Sequence, residues 1–151
     1  MTANLLAPTE LIRATADGMI ERGFGRIVNV TSIAVRTPFP GLAMSSASRS
    51  ALTALVASIS REVAAHNVTI NNLQPGIFET DRMLIGLKGA AKATGRTVED
   101  TRAGMLSNIP AGRFGDPEEF GHACAFLCSS YSGFITGQNL LLDGGHFPGA
   151  F

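Results

Sequence analysis

The sequence predicts an α/β protein built on a doubly wound parallel sheet of about three strands with flanking helices. Three observations predict it. Short apolar, β-branched runs alternate with longer segments of helical periodicity. Each run empties into a polar or glycine-bearing turn. The runs are short and largely apolar, as strands of a parallel sheet covered on both faces are.

Taken in order, residues 7–23 place Leu11, Ile12, Ala16, Met19 and Ile20 at helical spacing, and Gly23 stops the helix. Arg26–Val30 (RIVNV) is the first strand and ends in Thr31-Ser32. Pro38, Pro40 and Gly41 turn the chain into a second helix, Ala43 to about His66, whose ALTALVASISREVAA has an apolar face and no Gly or Pro. That helix opens on GLAMSSASRSAL, with four serines within six positions, which is expected as an N-cap cluster. Val68–Leu73 (VTINNL) is the second strand, closed by Gln74-Pro75-Gly76. Residues 80–108 are polar and dotted with glycine, and are expected to form short helices in a mobile flap. Asp116-Pro117-Glu118-Glu119 starts a helix running to about Ser129, with Asp as cap, Pro at the first position and acids in the first turn. Gln138–Leu142 (QNLLL) is the third strand, terminated by Asp143-Gly144-Gly145. No linker or repeat divides the chain, so residues 1–151 read as one domain.

Composition narrows the function. The chain is 45% hydrophobic and 16% charged with zero formal net charge, which gives no electrostatic basis for binding nucleic acid or an anionic membrane. No apolar run approaches the roughly 18 residues that span a bilayer. The N-terminal stretch has no secretory core and carries Glu10, Asp17 and Glu21, so a cytoplasmic location is expected. Cys124 and Cys128 stand at i and i+4 and are expected to pack in the core as free thiols. His66, His122 and His146 lie far apart and match no metal-ligand spacing, so they are expected to be structural or surface residues, with no metal site.

In an open parallel sheet ligands bind beyond the carboxyl ends of the strands. Those ends are Thr31-Ser32, Pro75-Gly76 and Asp143-Gly144-Gly145, which places a hydroxyl and a Pro-Gly turn on one crevice. The same segments carry a resemblance. GRIVNVTS, then a helix, then NNLQPGIFETD, IPAGRFGDPEEFGHACAFLCS and FITGQNLLLDGG resemble, in order, the C-terminal part of a short-chain dehydrogenase/reductase, especially the β-ketoacyl-carrier-protein reductase type. The resemblance covers essentially the whole chain and implies a partial Rossmann-like fold that lacks the N-terminal dinucleotide-binding half.

The family works with an Asn, Ser, Tyr, Lys tetrad. By position, its asparagine corresponds to Asn4 and its carbonyl-binding serine to Ser32, while the tyrosine and lysine positions hold Ser45 and Arg49. An aliphatic hydroxyl is shorter and far less acidic than a phenol, and a guanidinium keeps the charge but stays protonated. Arg49 is thereby expected to bind ribose hydroxyls without relaying protons. Tyr131, the only tyrosine, falls after a distant helix and is no substitute. The resemblance further implies NAD(P) as cofactor. Pro75, Gly76, Phe78 and Thr80 correspond to the loop that holds the carboxamide, and Asn71 to the asparagine of the preceding strand. The family's glycine-rich phosphate-binding turn has no counterpart here.

Residues 81–108 correspond to the family's variable substrate-covering segment, with Met83, Leu84, Ile85, Leu87, Met105, Leu106 and Ile109 as an apolar wall. The substrate implied is a small carbonyl or alcohol. A homo-oligomer is expected through helices 7–23 and 43–66, the last strand and the tail HFPGAF, because the first strand's edge lacks a neighbour. Three readings follow: a family oxidoreductase with altered proton chemistry, a non-catalytic relative serving as scaffold or oligomer partner, and a shortened product of a longer reductase.

Overall fold

A computed structural model describes residues 1–150; Phe151, the end of the expected interface tail, lies outside the described residues. Three parallel strands form the sheet in the order β1 (Gly25–Val30), β2 (Val68–Pro75), β3 (Asn139–Leu142). The register pairs Gly25 with Val68 through Val30 with Leu73, and Asn72 with Asn139 through Pro75 with Leu142. β2 is therefore the central strand, and every residue from Val68 to Gln74 is buried. It runs two residues further than the apolar pattern predicts, because Gln74 and Pro75 still pair with β3.

Alternation along β2 assigns the layers. Val68 and Ile70 join Ile12 of α1 (Ala7–Arg22) and Leu52, Val56 and Val63 of α2 (Ala43–Val63) in one core. Asn71 points the other way and lines a small cavity with Phe126 and Leu127 of α5 (Pro117–Cys128). The sheet is thus covered on both faces, which buries β2 from Val68 to Gln74. α1 ends at Gly23 in the left-handed region (φ 65°), and α2 passes through a short tight turn to Asn67, also left-handed (φ 58°).

One expectation is made specific and another is corrected. Residues 80–108 fold into α3 (Asp81–Thr94) and α4 (Val98–Leu106), whose first turns are capped by the hydroxyls of Thr80 and Thr97. An ion pair from Arg102 to Glu79 (2.9 Å) ties α4 to the start of this segment. The cysteines do not share a core role: Cys128 is exposed and Cys124 half-buried, because Leu127 supplies the buried face of α5. Burial, and then neighbouring Cys124, still push the Cys128 thiol upward. His66 and His122 are exposed, and His146 stands edge-on to Phe39. The tail folds back on its own chain, with the Phe147 N–H donating to Asp143 (2.7 Å).

Candidate active site

At the carboxyl ends of β1 and β2 the chain encloses a cleft of about 560 Å³ lined by Asn4, Asn29, Thr31, Ser32, Arg49, Pro75, Gly76 and Arg82, together with apolar side chains. Four separate stretches of sequence meet there. Asn4 arrives on a single wide helical turn, Thr2–Leu6, that precedes α1. Such i→i+5 turns interrupt regular helices and recur at functional positions. Ser32 follows β1, and its Oγ accepts the Ala34 N–H (3.1 Å), leaving the hydroxyl hydrogen free to donate.

Arg49 reaches the cleft from the second turn of α2. Its Nη1 donates to the carbonyls of Val30 (2.9 Å) and Thr31, and its Nε to Ser45 Oγ (3.3 Å). The guanidinium is thereby pinned across the end of β1, with Nη2 making no hydrogen bond among the described residues. Partial burial, and then the charge of Arg82, hold it below its ordinary value. Ser45 does not line the cleft; it stands behind Arg49 and orients it.

Of the nicotinamide-side residues, Pro75 and Gly76 line the cleft and also a neighbouring apolar slot of about 500 Å³. Gly76 is required by packing: a Cβ there would come within 2.8 Å of the Asp143 backbone. Phe78 and Thr80 line the slot and not the cleft; Phe78 stands edge-on to Phe120 (5.5 Å), and Thr80 Oγ1 accepts the Met83 N–H (3.2 Å). Asn71 lies on the far side of the sheet. Its Nδ2 donates to the Ile135 carbonyl (2.8 Å) and its Oδ1 accepts the Gln138 N–H (3.0 Å), so it fastens the β3 approach to β2. Of the expected apolar wall, Met83, Leu87 and Met105 line the slot.

Two cleft residues escaped the sequence reading. Asn29 is buried and its Nδ2 has no partner, as has the Oδ1 of Asn72 opposite it on β2. Within an apolar run it gave the period-2 pattern nothing to mark. Arg82 sits in the first turn of α3 among mixed polar residues, where no spacing distinguishes it.

The cleft's chemistry is that of neutral donors beside a held cation. The unpartnered amide of Asn29, the hydroxyl of Ser32, Asn4 and the free Nη2 of Arg49 fit the hydroxyls of a ribose and the oxygen of a carbonyl. Among the described residues no group of His, Cys, Asp and Glu is placed to hold a metal ion.

Known proteins resemble the chain over nearly its whole length. A family profile described as Enoyl-(Acyl carrier protein) reductase matches residues 1–146. The chain is 34% identical over 145 residues to the 3-oxoacyl-(acyl-carrier-protein) reductase FabG of Haemophilus influenzae, covering 96% of this chain and 55% of that protein. It is 34% identical over 147 residues to an acetoacetyl-CoA reductase of Allochromatium vinosum, covering 97% and 55%. The crystal structure of YwfH, an NADPH-dependent reductase involved in bacilysin biosynthesis, superimposes with a TM-score of 0.89 at 30% identity, over 95% of this chain and 55% of that one. The chain spans about half the length of the relatives it matches. With a matched profile over nearly every residue and relatives at 34% identity along almost its whole length, the chain belongs to the short-chain dehydrogenase/reductase family.

Proposed function

We propose that the chain is the substrate and nicotinamide side of a cytoplasmic NAD(P)-dependent oxidoreductase that interconverts a carbonyl and an alcohol, with Ser45 and Arg49 in place of the family's tyrosine and lysine. The carrying observation is the cleft itself, which collects Asn4, Ser32, Arg49, Pro75 and Gly76 from distant segments at the ends of two parallel strands. A reduced nicotinamide, when bound, supplies hydride to a carbonyl carbon. Ser32 hydrogen-bonds the substrate's carbonyl oxygen through its free hydroxyl hydrogen, and the proton that completes the alcohol comes from water in the cleft, because Ser45 does not line it and a guanidinium stays protonated. Arg49 binds ribose hydroxyls through Nη2, positioned by Ser45 and the β1 carbonyls. Asn4 and Asn29 supply further amide donors to the cleft, and the Pro75-Gly76 wall, with Phe78 and Thr80 beyond it, flanks the carboxamide. Asn71 acts from behind, by holding the strands in register.

The test is a titration of the purified chain with NADH and NADPH, followed by calorimetry and cofactor fluorescence. Saturable binding supports the reading; absence of binding at millimolar cofactor overturns it. A second reading rests on a different observation: among the described residues β1 pairs with no strand on its outer side. A groove of about 320 Å³ runs between that edge and α1, and Val30 and Leu11 beside it are exposed. Such an edge seeks a partner. The chain would then act as a non-catalytic partner or scaffold, or as part of a longer reductase, associating with other copies through α1, α2 and β3. Sedimentation of the chain alone separates these: a monomer at micromolar concentration argues against self-association.

A further inference from the structure

The cleft holds two guanidinium groups, Arg49 and Arg82, and no carboxylate lines it. Nearby acids are committed elsewhere. Glu79 pairs with Arg102 (2.9 Å), and Asp143 accepts the N–H groups of Gly145 (2.9 Å) and Phe147 (2.7 Å). Asp81, next to Arg82 in sequence, lines neither the cleft nor the slot. Arg82 makes no ion pair among the described residues, and one edge of Arg49, at Nη2, is likewise free. Like charges sharing a cleft repel, and burial first, then the charge of Arg82, lower the basicity of Arg49.

Arg82 also occupies a seam. It lines both the polar cleft and the apolar slot formed by Leu42, Met83, Leu87, Ala90 and Met105. We propose that Arg49 and Arg82 form an oxyanion-binding pair at the junction of cleft and slot, taking a carboxylate or phosphoryl group between them. One N–H of Arg49 Nη2, its other N–H being left for a ribose hydroxyl, and the Arg82 fork supply charge-assisted donors, the strongest hydrogen bonds available to such a group. The oxyanion comes from one of two sources: an acidic substrate, whose apolar portion enters the slot, or the diphosphate of a bound dinucleotide. The slot favours the substrate. Only the choice of source rests on the oxidoreductase reading; the pair stands on its own.

Calorimetry on the 151-residue chain tests it, with octanoate, octan-1-ol, inorganic pyrophosphate and NADPH as probes. Octanoate is expected to bind about tenfold or more tighter than octan-1-ol, and Arg82→Met to erase that advantage. Arg82→Lys recovers part of it. Arg82 is exposed, so neither variant disturbs the core, and circular dichroism verifies this. Loss of affinity for pyrophosphate and NADPH, with octanoate unchanged, assigns the oxyanion to the dinucleotide. If Arg82→Met weakens none of the three anions, the pair is overturned. If octanoate depends on Arg82 while NADPH binds no form of the chain, the oxyanion pair stands and the oxidoreductase reading falls.

Discussion

The starts of α5 and α2 were made by opposite means. At α5 the cap is complete. Asp116 Oδ1 accepts the Glu118 N–H (2.9 Å), Glu119 Oε2 accepts the Asp116 N–H (2.8 Å), and Pro117 occupies the first turn. Arg113 then clamps Glu119 through two bonds of 2.7 Å. At α2 the N-cap position is Leu42, with no side-chain cap and no acid in the first turn. The serines expected to cap it do other things. Ser48 Oγ donates back to the Met44 carbonyl (2.7 Å), Ser46 Oγ is buried without a partner, and Ser45 holds Arg49. One helix start follows every local rule and stabilises the fold; the other breaks them beside the cleft. Local rules yield where a site has other demands.

The largest effect follows from the α2 side. Ser45→Tyr with Arg49→Lys, in this chain joined to the N-terminal portion of a FabG-type relative, is expected to raise carbonyl reductase activity by about 10²-fold or more, the range of general acid catalysis. Steady-state turnover of a β-keto ester measures it. No gain with cofactor still bound would falsify the assignment of those positions. Next in size, Arg49→Ala is expected to lower unfolding free energy by about 2 kcal/mol, because Nη1 satisfies two carbonyls at the end of β1. Urea denaturation checks it, and a loss under about 0.5 kcal/mol would show that water replaces the guanidinium there.

The two helix starts also show how far sequence reasoning reaches. DPEE is a local signal, so the α5 cap was readable from four adjacent residues, as were the three strands from their apolar runs. Ser32, Pro75 and Gly76 were readable because strand ends carry sites in parallel sheets. Arg82 and Asn29 were not, since what makes them part of the cleft is a meeting of segments distant in sequence. The same cause explains Asn71: nothing in NNL tells that its side chain fastens Ile135 and Gln138 on the far side of the sheet and does not line the crevice. The plain reading of the serine cluster as a cap, set beside its place at the tyrosine and lysine positions, fails because the Leu42 backbone (φ −107°, ψ 12°) is not in the extended conformation a capping residue adopts.

Smaller substitutions sharpen the contrast. Asp116→Ala is expected to cost about 1 kcal/mol, as loss of a good N-cap does, whereas Ser46→Ala, removing a buried hydroxyl without a partner, is expected to be neutral or stabilising. Equal losses in parallel urea titrations would mean that Ser46 contributes to α2 after all. The smallest effect is one of pH. The hydrogen bond from Arg113, and then the Asp116 N–H, hold the Glu119 carboxyl at about 2, below its ordinary 4.5. A carboxyl more acidic in the folded state than in the unfolded one favours folding above pH 4.5, and that contribution is lost as pH falls toward 2. Glu119→Gln is therefore expected to flatten the decline of stability across that window. Because the carboxylate faces solvent, the difference shrinks as salt is added. Identical slopes for both proteins at low salt would place the strength of the α5 start in Asp116 and Pro117 alone, leaving the Arg113 clamp without a share in it.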